Sequence, residues 1–220
     1  MVAYSFENTL ANDGTTGSLY DAVLRGTSGF APSFRGTGIQ LVSGNAAVLV
    51  GAGLSGPSLG SAWTLSLWFK DAQAKAGIYR TLFRGGVAHH PLLADVNSDA
   101  VGTYDNSGAG FRQFGTYTLT AIGNDGNWHH MVVVGQGGST TLYVDGEAVG
   151  VSAFQSQADI LLLGNEPTGT NQRFSDYIDE FLFYASAFNA SQVHDLYNAY
   201  ICASSTTTTT VTTTTTTTTT

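Results

Sequence analysis

Short apolar runs, broken every few residues by Gly, Asn, Asp and Ser, dominate the first 200 residues and limit what this chain can fold into. Residues 63–69 (WTLSLWF) alternate with period two, placing Trp63, Leu65, Leu67 and Phe69 on one side and Thr64, Ser66 and Trp68 on the other. Residues 128–134 (WHHMVVV) form a second strand of the same kind. Residues 140–144 and 147–151 flank Asp145-Gly146, a dipeptide that accepts the positive φ of a two-residue hairpin turn. Ile160 to Leu163 is a short buried run ending at Gly164-Asn165. Tyr177 to Tyr184 is apolar on both faces, as expected of a central strand covered on both sides. Helical periodicity occurs once. Asn189 caps it, Gln192 stands at the capping-box position, and Val193, Leu196 and Tyr197 share a face. Many strands and one short terminal helix predict an all-β, two-sheet antiparallel sandwich.

About 200 residues of this kind bury a core large enough to fold without a metal or disulfide. Charged residues make up 11% of the chain, against about 25% in ordinary soluble domains. Glycans or burial within an assembly would keep so neutral a surface soluble. The net charge of −8 excludes nucleic acid and anionic membranes as partners. No apolar run reaches 18 residues, so no membrane span is expected, and Met1 to Leu10 lack the pattern of a signal peptide. Cys202 is the single cysteine. It either stays a thiol or makes an interchain disulfide at the junction between the domain (1–201) and the tail (202–220).

Several segments together resemble the laminin G-like jelly rolls of the concanavalin A-like lectin/glucanase superfamily. Residues 62–70 (AWTLSLWFK) resemble the family's Trp-bearing strand, 126–134 (GNWHHMVVV) its Trp-His-His strand, and 142–147 (LYVDGE) the hairpin that follows. Residues 177–184 (YIDEFLFY) and 187–193 (AFNASQV) resemble its closing strand and helix, and 4–7 and 38–41 its opening strands. The segments occur in the family's order over residues 3–201. The resemblance implies a jelly-roll fold; it does not choose among lectins, adhesion modules, glycanases and linkers.

Glycanases of the superfamily carry a Glu-x-Asp-x-x-Glu strand, and retaining hydrolysis needs two carboxyls about 5–5.5 Å apart. This chain has no such strand. Asp145 and Glu147 straddle a turn, and Asp179 and Glu180 are strand neighbours expected to face opposite ways. His129 and His130 fail to chelate one ion for the same reason, His89-His90 precede Pro91 at a loop or strand end and read as structural or surface histidines, and no catalytic or cofactor motif occurs. The chain is therefore expected not to be an enzyme. The resemblance also implies room for one structural calcium between the first and last strands, where Glu7, Asp21 and Asp179 could supply oxygens. No other cofactor is required.

Sugar binding would use exposed rings flanked by amides. Tyr79, Tyr104, Phe111, Phe114 and Tyr117, interleaved with Gly, Asn and Arg112 over 77–127, either line one sheet's concave face or belong to the core. The tail from Ser204 holds fourteen threonines: Thr206, Thr207, Thr208, Thr209, Thr210, Thr212, Thr213, Thr214, Thr215, Thr216, Thr217, Thr218, Thr219 and Thr220. It has no apolar face and reads as an extended, O-glycosylated stalk, or as bare strands able to pair with other copies. Asn189-Ala190-Ser191 is an N-glycosylation sequon that competes with the cap. Two functions follow. One is an extracellular structural subunit that self-assembles into a glycosylated filament, sheath or stalk, which low charge, the tract and Cys202 favour. The other is a lectin-like or adhesion head on a mucin-like stalk.

Overall fold

The computed structural model describes residues 1–51, 56–73, 77–86, 89–122, 125–166 and 171–205. The threonines expected to carry glycans, Thr206 to Thr220, lie outside the described residues.

Two antiparallel sheets face each other. The first runs β13 (Glu147–Ser152), β12 (Ser139–Val144), β11 (Trp128–Gln136), β6 (Ala62–Ala72), β15 (Ser175–Tyr184), β4 (Thr37–Leu41), β3 (Ser28–Pro32), and β1 (Val2–Tyr4) also pairs with β15. The second runs β10 (Gly110–Thr118), β9 (Ala100–Asp105), β8 (His89–Ala94), β7 (Arg80–Arg84), β14 (Leu162–Leu163), β5 (Ala47–Leu49), β2 (Val23–Arg25). A one-turn helix α1 (Leu119–Ile122) precedes β11, and α2 (Ala190–Ser205) follows β15. This is the jelly-roll sandwich with a C-terminal helix that the alternation predicted.

The period-two pattern explains the layers. Trp63, Leu65, Leu67 and Phe69 of β6 point inward with Met131 and Val133 of β11. They meet Leu82, Phe83, Leu92 and Val101 from the second sheet. Fully burying each such side chain stabilises the fold by about 1.5–3 kcal/mol. The Trp63 indole N–H donates to the Ser156 carbonyl at 2.7 Å, so its one polar atom is satisfied inside the core. The Asp145-Gly146 turn forms as expected, with φ of 50° and 87°. The Asp145 carboxylate also accepts from the His130 backbone N–H at 2.8 Å and lies 2.8 Å from His129 Nδ1.

The outward residues of β6 are not left to solvent. Helix α2 and the β3–β4 hairpin cover most of them. The Thr64 hydroxyl donates to the Ser186 carbonyl (2.8 Å) and accepts from the Phe188 N–H (2.9 Å), fastening the segment before α2. Ser66 bonds His130 Nε2 at 2.8 Å. Trp68 is sandwiched between Phe34, 3.7 Å away centroid to centroid, and Tyr197 of α2, 5.8 Å away. Val193 of α2 packs on Val132, Val134 and Tyr143. The capping box forms in full: Asn189 Oδ1 accepts from the Gln192 N–H, and Gln192 Oε1 accepts from the Asn189 N–H, both at 2.9 Å. The helix continues to Ser205, so Cys202 sits within its last turns, exposed.

One strand expectation is corrected. Asp179 and Glu180 do not face opposite ways. The register of β15 against β6 shifts between Asp179 and Leu182, and Glu180 has φ 51°. This bulge adds a residue and reverses the alternation beyond it. Ile178 points into the core before it, and Phe181 and Phe183 do so after it. Asp179 lies opposite Trp68 on the outer face, and Glu180 lies 3.8 Å from Arg35 of the hairpin that covers that face.

Candidate functional site

The candidate site lies on the outer face of the seven-stranded sheet, the side turned away from the core cluster of Leu82, Leu92, Ala94 and Val101. Registers His90↔Tyr104 and Leu93↔Gly102 put these four residues on that face. Phe111 and Gln113 of β10 join them, opposite Tyr104 and Gly102. Gly102 is required there by close approach, since a Cβ would meet the Phe111 ring at 2.7 Å. Tyr79 stands edge-on to Tyr104 with centroids 5.3 Å apart. These two rings, with Arg84, His90, Leu93, Asn106 and Gln172, line a pocket of about 170 Å³.

The polar groups are held in defined roles. Gln172 Oε1 accepts from the Thr81 hydroxyl (2.9 Å) and from Arg84 Nη1 (3.4 Å). Asn106 Nδ2 donates to His90 Nε2 at 3.1 Å, which fixes that nitrogen as an acceptor. Burial, with the Arg84 guanidinium beside it, lowers the His90 pKa to about 3, so the imidazole is neutral at physiological pH. Arg84 stays charged at the pocket wall. Among the described residues the lining therefore offers two phenol rings, an imidazole, two amides, a guanidinium and no carboxylate.

Of the aromatics expected here, Tyr79 and Tyr104 are brought together and Phe111 extends the surface. Phe114 takes the other alternative: it is fully buried in the core, because β10 alternates and Phe114 falls on its inner phase. Tyr117 packs against the same core. The Arg112 carbonyl accepts from the Ser152 hydroxyl at 3.3 Å. Arg84, His90, Asn106 and Gln172 escaped sequence reading because two strands, a turn and a loop supply them. The one available signal was that His90 shares the outward phase of β8 with Leu93 once the bulge between them is counted.

The candidate calcium ligands have separate partners. Glu7 accepts from the Thr37 N–H (3.2 Å) and hydroxyl (3.4 Å), and Asp21 from the Asn12 N–H (2.8 Å). Asp179 accepts from the Ser33 hydroxyl (2.7 Å) and the backbone N–H groups of Arg35 (3.1 Å) and Glu180 (2.8 Å). Burial nevertheless raises the Asp179 pKa to about 7. Among the described residues, no three of His, Cys, Asp and Glu converge to hold a metal ion. Adjacent histidines divide between environments. His129 bonds Asp145, which raises its pKa, whereas His130 is buried beneath Trp68 and Tyr197 with its pKa lowered to about 3. Asn189 is exposed and uses Oδ1 in the cap. No described helix is long and apolar enough to cross a membrane.

Comparison with known proteins agrees with this architecture. Domain 4 of AbnA, a GH43 extracellular arabinanase from Geobacillus stearothermophilus solved in complex with arabinotriose, superposes with a TM-score of 0.63 at 21% identity, over 89% of this chain and 97% of that one. The binding domain of botulinum neurotoxin DC in complex with SialylT superposes with a TM-score of 0.62 at 12% identity, over 91% of this chain and 50% of that one. Adhesion G-protein coupled receptor V1 of Danio rerio is 24% identical over 153 residues, covering 64% of this chain and 2% of the receptor. The chain thus spans about a fiftieth of that relative's length. The Laminin_G_3 family model matches residues 42–194, well over half of the sequence, and the chain belongs to the concanavalin A-like lectin/glucanases superfamily.

Proposed function

We propose that this protein is a non-catalytic, extracellular lectin-like adhesion module that binds a saccharide on the open face of its seven-stranded sheet. The carrying observation is the Tyr79–Tyr104 pair set beside Arg84, Asn106, Gln172 and a neutral His90. Aromatic rings receive the C–H face of a pyranose, and amides and guanidinium address its hydroxyls. The pocket takes part of one sugar, and the surface continuing toward Phe111 takes its neighbours. Among the described residues that line the pocket none is a carboxylate, which favours binding over glycoside hydrolysis. The superposed domains solved with arabinotriose and SialylT, and the adhesion receptor, support the same reading.

Binding is tested on a glycan array, followed by titration of the strongest hit against Tyr104→Ala. Tyr104 is half-exposed, so the variant should fold normally and lose about tenfold or more in affinity. A folded variant with unchanged affinity would remove this face from consideration. The filament reading rests on the threonine tract and on exposed Cys202. The mass of the native protein with and without reductant separates the two: disulfide-linked multimers favour assembly, a monomer the head on a stalk.

A further inference from the structure

The outer face of the eight-stranded sheet is only partly covered. Beyond Phe34 and α2 it opens into a groove of about 340 Å³ lined by Ala31, Pro32, Gln40, Lys70, Trp128 and Tyr177. Strand register generates it. Trp128 lies directly opposite Lys70, Lys70 opposite Tyr177, and Tyr177 opposite Gln40, a single row across β11, β6, β15 and β4. Directly opposed residues share a face with Cβ atoms about 4.5–5.5 Å apart, so the four side chains stand as one continuous set.

The row is prepared for a ligand in three ways. Trp128 and Tyr177 stand at 62° to each other with centroids 6.3 Å apart, forming a corner with two aromatic walls. Phe34, 6.3 Å from Trp128, closes the side toward α2. Gln40 Nε2 donates to the Tyr177 hydroxyl at 2.8 Å, which leaves the tyrosine proton and Gln40 Oε1 available to a partner. Lys70 holds the register position between Trp128 and Tyr177 and lines the groove with them, and no hydrogen bond or ion pair joins it to a described residue. It is one of two lysines in a chain with sixteen carboxylates, yet none of them neutralises it. A lysine in a groove with two aromatic residues, a hydroxyl donor and an amide acceptor matches a sugar ring that carries an acid.

We infer that this groove is a second binding site, on the opposite sheet from the first, for a saccharide bearing a carboxylate. The pyranose C–H face lies on Trp128, the carboxylate meets the Lys70 ammonium, and ring hydroxyls meet Tyr177 and Gln40. A uronic acid and a sialic acid share this chemistry, and the test separates them. The site does not depend on the Tyr79–Tyr104 pocket, and binding at both faces would let one module bridge two glycan chains.

Intrinsic fluorescence reads this site selectively. Trp63 and Trp68 are 0% and 1% exposed, so Trp128 is the indole a ligand reaches. The protein is titrated with trigalacturonate and with 3′-sialyllactose, with galactotriose and lactose as neutral controls. A saturable change with one or both acidic probes, and at least tenfold weaker response to its neutral counterpart, is the expected result; the probe that responds identifies the acid. Lys70→Met, a change on the half-exposed surface, should weaken binding about tenfold and abolish its salt dependence. Trp128→Ala, followed by calorimetry because it removes the signal, should cost about as much. Tyr104→Ala on the other sheet should change nothing here. No saturable response to either acid overturns the inference. So does equal response to the neutral controls, unchanged affinity in folded Lys70→Met, or loss of the signal in Tyr104→Ala.

Discussion

Along β6 the outward side chains are Thr64, Ser66, Trp68 and Lys70, and the first three have a different fate from the fourth. Thr64, Ser66 and Trp68 are at most 1% exposed, roofed by Phe34, Phe188 and α2. Lys70, one step along the same face, stands in an open groove between Trp128 and Tyr177. The sheet does not distinguish the two halves; what lies on top of them does. The covered half has become a second core, in which Trp68 is stacked on Phe34, His130 and Tyr197. The open half keeps the same kind of aromatic residues without a roof, and the rings there are free to meet a ligand.

Truncating one tryptophan from each half tests the effect of this cover most strongly. Trp68→Ala should cost about 3–5 kcal/mol, because the cavity lies under a helix that cannot collapse onto the sheet. Trp128→Ala should cost less, about 1–2 kcal/mol, because part of its surface already lies in water. Urea denaturation of both variants measures the difference. Equal costs would mean that the groove is as much a structural core as the covered half, and would weaken its assignment as a site.

The two halves also differ in their response to pH. Asp179 belongs to the covered half, and burial raises its pKa to about 7, above the ordinary aspartate value. The folded state therefore holds a proton that the unfolded chain releases near pH 4. The stability this contributes is full below pH 4 and is lost as pH rises through about 7. Asp179→Asn removes the loss while keeping a carbonyl oxygen for Ser33 and Arg35. Relative to the native protein it should gain stability between pH 4 and 7, by about 1.4 kcal/mol for each pH unit in which only the unfolded chain is ionised. His130, whose pKa is lowered to about 3, works in the other direction: it costs stability as pH falls below about 6.5, in native protein and variant alike. Denaturation midpoints for the pair of proteins from pH 4 to 8 give the difference directly. A constant offset would mean that Asp179 is ionised in the fold throughout.

The two halves were also unequally legible in the sequence. The alternation of 63–69 assigned the inward face of β6 correctly, and the capping box at Asn189 and the Asp145-Gly146 turn formed as read. These are local signals, carried by residues within a few positions of one another. The bulge at Asp179–Glu180 was invisible, because a run apolar on both faces looks the same with or without an added residue. The sites were harder still. Trp128 and Tyr177 were read as marks of the fold, and only the pairing of four distant strands makes them neighbours of Lys70. Phe114 was left open between a concave face and the core because the glycine-rich segment around it gives no phase, and the phase of β10 puts it in the core.

The smallest effect concerns the helix that makes the covered half. Asn189 serves the fold through Oδ1, which accepts from the Gln192 N–H, and it is also the acceptor residue of the Asn189-Ala190-Ser191 sequon. Asn189→Ala removes both roles, while Ser191→Ala removes the sequon and leaves the cap. If the cap alone matters, Asn189→Ala should lose about 1 kcal/mol and Ser191→Ala close to none. Protein expressed in a glycosylating host would then have the same attached mass in native and Ser191→Ala forms. If Asn189 carries a glycan, both variants should lose that mass, and stability should fall in Ser191→Ala as well to the extent that the glycan screens the junction of β15 with α2. Melting curves and intact masses of the three proteins decide between these outcomes. They also tell whether the roof over Trp68 is held by its own hydrogen bonds or by an attached sugar.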